Sequence, residues 1–282
     1  MIRDITIGQF FPGKSLIHKL DPRAKILLTI LYIVSLFICK NFFSLILMLG
    51  FAIACVLISA ISPGLIWKSL RSIIFIVLFT SALQLFYNND GDVLWKPFED
   101  HEFCITTGGV YSAVFLAVRI ISLILFTSLL TYTTSPNMLT DAIERLLSPL
   151  KLFRIKVHSL AMMMTIALRF IPTLINEIDI IMSAQKARGA SLDNGSIAKR
   201  MKAMTSVFVP LFVSAFRRAA DLAVAMECRC YTDGANRTRL KVMRFSILDY
   251  LAFAVVIILC FAAIFTTYYH FSDSLLFKAV LK

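Results

Sequence analysis

The sequence is poor in charged residues, which make up 16% of its 282 residues, whereas about a quarter is usual in a soluble protein. Hydrophobic residues make up 59%, against about 45–50% in an average chain. One buried core cannot take up this excess, so lipid must cover much of the surface. The composition therefore excludes a soluble globular domain. It predicts an all-α polytopic membrane protein, because a helix satisfies its own backbone groups in lipid.

The sequence also lacks the short motifs of several enzyme and metal-site classes. No G-x-x-x-x-G-K-[ST] occurs, so the chain cannot itself be a P-loop ATPase. The six cysteines include no C-x-x-C pair and the four histidines are scattered, so we expect no metal centre, disulfide framework or cofactor. Cys228 and Cys230 flank Arg229, and without further ligands they are better interpreted as small residues at a helix end.

The first 20 residues lack the continuous apolar stretch of a cleavable signal peptide. We therefore expect the first apolar run to remain in the protein. A helix needs about 20 apolar residues to cross the hydrocarbon core, and a shorter run can be extended by lysines at its ends. Five predicted spans follow, at residues 26–39, 42–61, 73–86, 110–132 and 247–268.

Charge is distributed unevenly along the chain. Residues 134–245 carry 17 Lys or Arg and 8 Asp or Glu, whereas residues 88–107 carry one Lys and five acidic residues. Basic loops of membrane proteins face the cytoplasm, so nucleic-acid binding is not needed to explain the basic excess. We predict a multi-pass membrane protein with a cytoplasmic N-terminus. The predicted segments are a cytoplasmic N-terminus (1–25), four spans (26–133), a cytoplasmic domain (134–245) and a last span with an external tail (246–282).

The segment before the last span has a helical pattern but is more charged than the spans. Its predicted helices cover about residues 140–151, 159–188 and 197–229. Hydropathy alone would make two further spans, at residues 157–174 and 203–215. Because Arg169, Glu177 and Asp179 would then lie in or near lipid, we favour amphipathic helices that lie under the membrane.

Two predicted helix ends in this segment resemble each other, Ala187-Arg188-Gly189 and Cys228-Arg229-Cys230, and an alanine precedes each arginine by four residues. An arginine with small neighbours at a helix tip can enter a groove and bind a carboxylate or carbonyl through its planar fork. Each arginine alone is explained as well by the helix dipole, worth about 0.3–1 kcal/mol. The matched pair favours a docking site.

Several motifs, in this order, resemble those of the transmembrane (T) component of energy-coupling factor transporters, which import vitamins and metal ions in prokaryotes. The resemblance covers most of the chain. The motifs are FPGKS (11–15), LDPRAK (20–25), TTSP (133–136), ALRFIP (167–172), AQKARG (184–189) and the stretch 218–231.

The resemblance implies a cytoplasmic coupling domain whose two arginine-centred motifs insert into grooves on two ABC-type ATPase subunits. These motifs match Ala187-Arg188-Gly189 and Cys228-Arg229-Cys230. The family often has alanine where Cys228 stands, and cysteine is similarly small. A membrane-embedded substrate-binding subunit is expected to pack on the same component. The chain is then a scaffold that transmits ATP-driven motion during uptake of a vitamin or metal ion, and it is not itself an enzyme.

A self-sufficient secondary carrier is the alternative function, and it requires intramembrane charges for ion coupling. Arg119 lies near the middle of a predicted span, and Asp249 lies near the start of another. Arg119 is a candidate either for a functional site or for a structural bridge between helices. A membrane-embedded enzyme would need clustered catalytic groups, and Glu177, Asp179 and His158 do not show such spacing.

Overall fold

The computed structural model describes residues 10–87, 93–95, 105–153, 156–190, 196–231, 243 and 245–268. In chain order the elements are α1 (Leu16–Lys19), α2 (Pro22–Ile38), α3 (Phe42–Ser59), α4 (Pro63–Tyr87), β1 (Val93–Trp95), β2 (Ile105–Thr106), α5 (Thr107–Thr133), α6 (Pro136–Leu146), a 3₁₀ segment (Ser148–Phe153), α7 (Val157–Ala187), α8 (Ile197–Cys228) and α9 (Ile247–Tyr268). The two short strands pair antiparallel, with Val93 opposite Thr106. The prediction of an all-α polytopic protein is confirmed.

The described residues form two compact units. The first contains α1 to α5, the two strands and α9, and the second contains α6, the 3₁₀ segment, α7 and α8. The functional division into a membrane part and a cytoplasmic domain stays a prediction.

Five of the described helices have the length and hydropathy needed to cross a membrane. They are α3, Pro63–Leu85 within α4, α5, α7 and α9. Helix α2 has 17 residues and is therefore about 25 Å long, slightly less than the hydrocarbon core. Helix α7 has the hydropathy of a span, and its expected position under the membrane stays a prediction.

Helix boundaries differ most from the sequence-based expectation at α4 and α6. The apolar run of the third span begins at residue 73, but α4 begins at Pro63, where a proline is well tolerated because its missing N–H needs no partner. Lys68 and Arg71 lie in this first part, so a search for uninterrupted apolar runs does not include it. The helix predicted over residues 140–151 was wrong at its end, because α6 stops at Leu146 and a 3₁₀ segment containing Pro149 follows.

The core of the first unit is centred on Tyr32 of α2. Its ring stacks on Phe126 of α5 with 4.0 Å between ring centroids, and its hydroxyl donates to the carbonyl oxygen of Met48 in α3 at 3.0 Å. Ser44 of α3 is hydrogen-bonded to Thr266 of α9 at 2.8 Å. Hydroxyl and small residues at such contacts allow close helix packing where lipid supplies no hydrophobic driving force.

Candidate functional site

Helix α7 ends in a Schellman motif around Arg188, which occupies the C-cap position. The N–H of Ala190 donates to the carbonyl oxygen of Gln185 at 3.0 Å, and that of Gly189 donates to Lys186 at 3.0 Å. Gly189 has a φ of +85°, a left-handed conformation that glycine adopts without steric cost. The local sequence therefore explains why the helix stops at this arginine.

Helix α8 ends in the same motif around Arg229, which is also a C-cap residue. The N–H of Tyr231 donates to the carbonyl oxygen of Met226 at 2.9 Å, and that of Cys230 donates to Glu227 at 2.8 Å. Cys230 has a φ of +54°, where a residue with a Cβ atom is strained by about 1–2 kcal/mol. The two helix ends are thus equivalent position by position, 41 residues apart in the sequence.

The six residues predicted to dock a partner are all exposed: Ala187, Arg188, Gly189, Cys228, Arg229 and Cys230. A Cβ atom built on Gly189 would meet no other atom within 4 Å. In the part of the chain that the structure describes, neither arginine forms an ion pair with a carboxylate. Each guanidinium is therefore available for a partner group.

Contacts between α7 and α8 show that the two helices run antiparallel. Arg218 Nη2 lies 3.0 Å from Glu177 Oε2, and the hydroxyl of Tyr231 donates to the sulfur of Met162 at 2.7 Å. Met162 precedes Arg188 by 26 residues, which is about 40 Å along a helix. The two arginine tips therefore lie at opposite ends of the pair, about 40 Å apart.

Glu177 and His158, two of the polar residues without catalytic spacing, join helices of the second unit. Glu177 accepts a hydrogen bond from Ser214 in addition to its ion pair with Arg218. His158 Nδ1 lies 3.0 Å from Oε1 of Glu144, whose carboxylate is largely buried. This contact joins α7 to α6. Among the described residues, no three His, Cys, Asp or Glu side chains are grouped as a metal site would need.

Motifs that are distant in the sequence meet at one end of the first unit. Lys25, from LDPRAK, donates to the carbonyl oxygen of Thr133 at 3.0 Å and lies 3.4 Å from the hydroxyl of Thr134, both from TTSP. The N–H of Phe11, from FPGKS, donates to the carbonyl oxygen of Tyr132 at 3.0 Å. These bonds fasten the N-terminal segment and α2 to the end of α5.

Asp249 is a structural residue that sequence reasoning treated only as a weak carrier candidate. One carboxylate oxygen accepts from the backbone N–H of Asp21 at 2.8 Å and the other from that of Ser246 at 2.7 Å. Its side chain is almost fully buried. Ser246 and Asp249 have the S-x-x-D spacing of a capping box, which is the sequence signal that could have identified this role.

Arg119 bridges two helices within the first unit. Its Nη2 donates to the carbonyl oxygen of Cys39, the C-cap residue of α2, at 2.6 Å. Its guanidinium carbon also lies 4.7 Å from the ring centroid of Phe115. The last carbonyls of a helix have no partner in the helix itself, so an arginine at this position satisfies one of them within an apolar setting.

Comparison with known proteins gives a consistent result along nearly the whole chain. Residues 13–240 match the family model described as "Cobalt transport protein" (CbiQ). The chain is similar to proteins named energy-coupling factor transporter transmembrane protein EcfT. That of Clostridium kluyveri is 47% identical over 92% of this chain and 95% of its own length. That of Thermosediminibacter oceani is 46% identical over 95% and 99%, and that of Bacillus subtilis 43% over 86% and 90%.

Proposed function

Since this chain belongs to the energy-coupling factor transmembrane family, we propose that it docks two ABC-type ATPase subunits through its helix ends at Arg188 and Arg229. Nucleotide binding and hydrolysis then take place in those subunits and not in this chain. Helices α7 and α8 carry the resulting motion to a membrane-embedded substrate-binding subunit. The transported solute in this proposal is a vitamin or a metal ion.

The observation that carries the proposal is the equivalence of the two exposed helix ends. Each presents an arginine at the C-cap of a Schellman motif. The residue after each arginine is small and has a positive φ, the conformation that glycine favours. Because the tips lie about 40 Å apart, and a small domain is only about 30 Å across, one small partner domain cannot receive both. Two similar partners, each with one groove, account for two similar tips.

The proposed orientation places the N-terminus and the second unit on the cytoplasmic side of a prokaryotic plasma membrane. Its support is the excess of Lys and Arg over residues 134–245, together with the acidic loop at residues 88–107, which lies largely outside the described residues. ATP is available on that side only. The arginine tips and the ATPase subunits therefore share one compartment in the proposal.

The proposal is tested by replacing each arginine with glutamate in the complete transporter. Losing one buried charged contact costs about 2–5 kcal/mol, which weakens that contact by roughly 30- to 5,000-fold. The remaining tip holds the second contact at high effective concentration, so the complex can persist in part. We expect Arg188→Glu and Arg229→Glu each to abolish or strongly reduce uptake, and the double variant to release the ATPase subunits in a pull-down.

Two kinds of control separate docking from misfolding and from a simple helix-dipole effect. Arg237→Glu lies outside both motifs and should leave uptake and pull-down near wild type. Arg188→Lys and Arg229→Lys keep the charge that favours the helix end but lose the planar fork. Their uptake should therefore lie between that of the wild type and that of the glutamate variants. All variants must reach the membrane in normal amounts. A double glutamate variant that still retains its ATPases and transports at the wild-type rate would refute the docking assignment.

A further inference from the structure

The first unit contains an apolar cavity of about 250 Å³ that the docking proposal does not use. Its lining comes from α1, α2, α3, α5 and α9. Buried side chains form the inner wall, including Leu28 of α2, Leu129 of α5 and Val256 of α9. Among the described residues that line it, Lys25 is the one that is charged.

The exposed residues of the cavity lining lie on α1, α3 and α9. Ile58 of α3, together with Leu251 and Val255 of α9, lines the cavity and is also 43–60% exposed. Hydrogen bonds join α3 to α9 at the other ends of these helices, where Asn41 donates to the carbonyl oxygen of Thr266 at 2.9 Å. Exposed apolar helix faces of a membrane protein contact the lipid, so these residues of α3 and α9 give the lipid access to the cavity.

The size of the cavity restricts what can fill it. One turn of a helix with its side chains occupies about 400 Å³, given a diameter of about 10 Å and a pitch of 5.4 Å, so a partner helix would place only side chains, not its backbone, in 250 Å³. A water molecule occupies about 30 Å³ in the liquid, and a methylene group is of similar size, so roughly eight carbons fit. A segment of one acyl chain of about this length fits the volume, and each buried CH₂ favours binding by hydrophobic transfer.

Two exposed lysines lie close in the sequence to the cavity lining and favour one type of headgroup. Leu16 of α1 lines the cavity and is 57% exposed, and the exposed Lys14 and Lys19 lie two and three residues from it. Lys25 donates to three oxygens of Thr133 and Thr134 and to the carbonyl oxygen of His18, and the carboxylates of Asp249 and Asp21 lie near enough to interact with its charge. The exposed Lys14 and Lys19 are therefore the better partners for a ligand. Lysines next to an apolar cavity favour an amphiphile with a negative head.

We propose that this cavity binds one acyl chain of an anionic phospholipid, whose phosphate lies beside Lys14 and Lys19. The lipid enters between α3 and α9 and fills the space between the inner wall and the membrane. It holds the end of the first unit where the FPGKS, LDPRAK and TTSP motifs meet. This binding does not depend on whether Arg188 and Arg229 dock ATPase subunits.

The proposal is tested with the full chain in phosphatidylcholine nanodiscs that contain a small share of a photoreactive probe. The probe is phosphatidylglycerol with a diazirine in the middle of one acyl chain, and adducts are located by peptide mass spectrometry. We expect adducts on the α5 peptide containing Leu129, which is 8% exposed and out of reach of ordinary surrounding lipid. Adducts confined to exposed residues such as Ile257 would overturn the proposal.

A matched pair of tryptophan variants on α9 separates cavity binding from general lipid contact. Val255 lines the cavity, whereas Ile257, which is likewise exposed, does not. Val255→Trp should abolish labelling of Leu129, and Ile257→Trp should leave it unchanged. Equal labelling in both variants contradicts the proposal. Labelling of Leu129 could also disappear when the purified chain is assembled with its partner subunits. That result would show that a partner fills the cavity, and it would overturn the lipid proposal.

The headgroup is tested by comparing the phosphatidylglycerol probe with a phosphatidylcholine probe carrying the same diazirine. A basic residue near the membrane favours anionic lipid by roughly fivefold. We expect Lys14→Gln and Lys19→Gln each to lower the ratio of the two labelling yields by about this factor. Both side chains are exposed, so folding should be unaffected. An unchanged ratio in the double variant would refute the role of these lysines and the anionic lipid.

Discussion

Gly189 and Cys230 occupy the same position of two equivalent helix ends, with φ values of +85° and +54°. Glycine adopts this conformation without steric cost, whereas the Cβ atom of cysteine approaches the carbonyl oxygen that follows. The α8 end therefore carries backbone strain that the α7 end does not.

We expect Cys230→Gly to tighten the end of α8. Relief of about 1 kcal/mol of strain should slow amide hydrogen exchange at Tyr231 by about fivefold. The matched control is Cys228→Gly, because Cys228 is the last residue of the helix and glycine there costs about 0.5–1 kcal/mol. Exchange at Tyr231 should then become faster. The same sign of change in both variants would show that strain at position 230 is not the cause.

Gly189→Ala should loosen the end of α7, although space for the new methyl group is available. The cost is conformational, about 1–2 kcal/mol for a residue with a Cβ atom in the left-handed region. Amide exchange at Ala190 should accelerate by roughly five- to thirtyfold. An unchanged rate would mean that Ala190 does not depend on the bond to Gln185.

Asp249→Asn should destabilise the first unit. The carboxylate accepts two backbone N–H bonds, and asparagine supplies one oxygen and one amide nitrogen, so one buried donor loses its acceptor. Such a loss costs about 1–3 kcal/mol and should lower the thermal unfolding midpoint in detergent. Asp221→Asn, at an exposed position on α8, is the control and should have little effect. Equal midpoints for the two variants would rule out the bridging role of Asp249.

Arg119→Leu should reduce the folded yield in detergent while the surviving protein still docks its partners. The substitution leaves the carbonyl oxygen of Cys39 without its donor at the end of α2. A buried carbonyl without a partner costs about 1–3 kcal/mol. Arg119→Lys keeps a donor, so its folded yield should lie between that of the wild type and that of Arg119→Leu. Arg71→Leu, at an exposed position of α4, should give the wild-type yield. Normal yield and stability of Arg119→Leu would point to a role in transport.

Cysteine-accessibility labelling tests the proposed topology in a variant without native cysteines. A cysteine at position 92 should react with an impermeant reagent added outside, and one at position 194 should react only after permeabilisation. Both positions lie outside the described residues, so the test relies on loop charge alone. External labelling at position 194 would contradict the cytoplasmic placement of α7 and α8.

Hydropathy and local chemistry determined the helical class and most helix positions. Helix α9 covers residues 247–268 as predicted, because an uninterrupted apolar run of that length is itself the requirement for crossing lipid. The ends of α7 and α8 were predictable because small residues and a following turn signal a helix C-terminus within a few positions of the chain. The start of α4 was not, since hydropathy does not detect helical residues that are polar.

Tertiary structure decided the relationships on which the proposals rest. The sequence showed two similar arginine tips, but only the contacts of Arg218 with Glu177 and of Tyr231 with Met162 place them at opposite ends of an antiparallel pair. The bond between Asp249 and Asp21 joins residues 228 positions apart. The apolar cavity of the first unit combines side chains from five helices. Periodicity and capping report only on neighbours within about one or two helical turns, so none of these three relationships could be read from the chain alone.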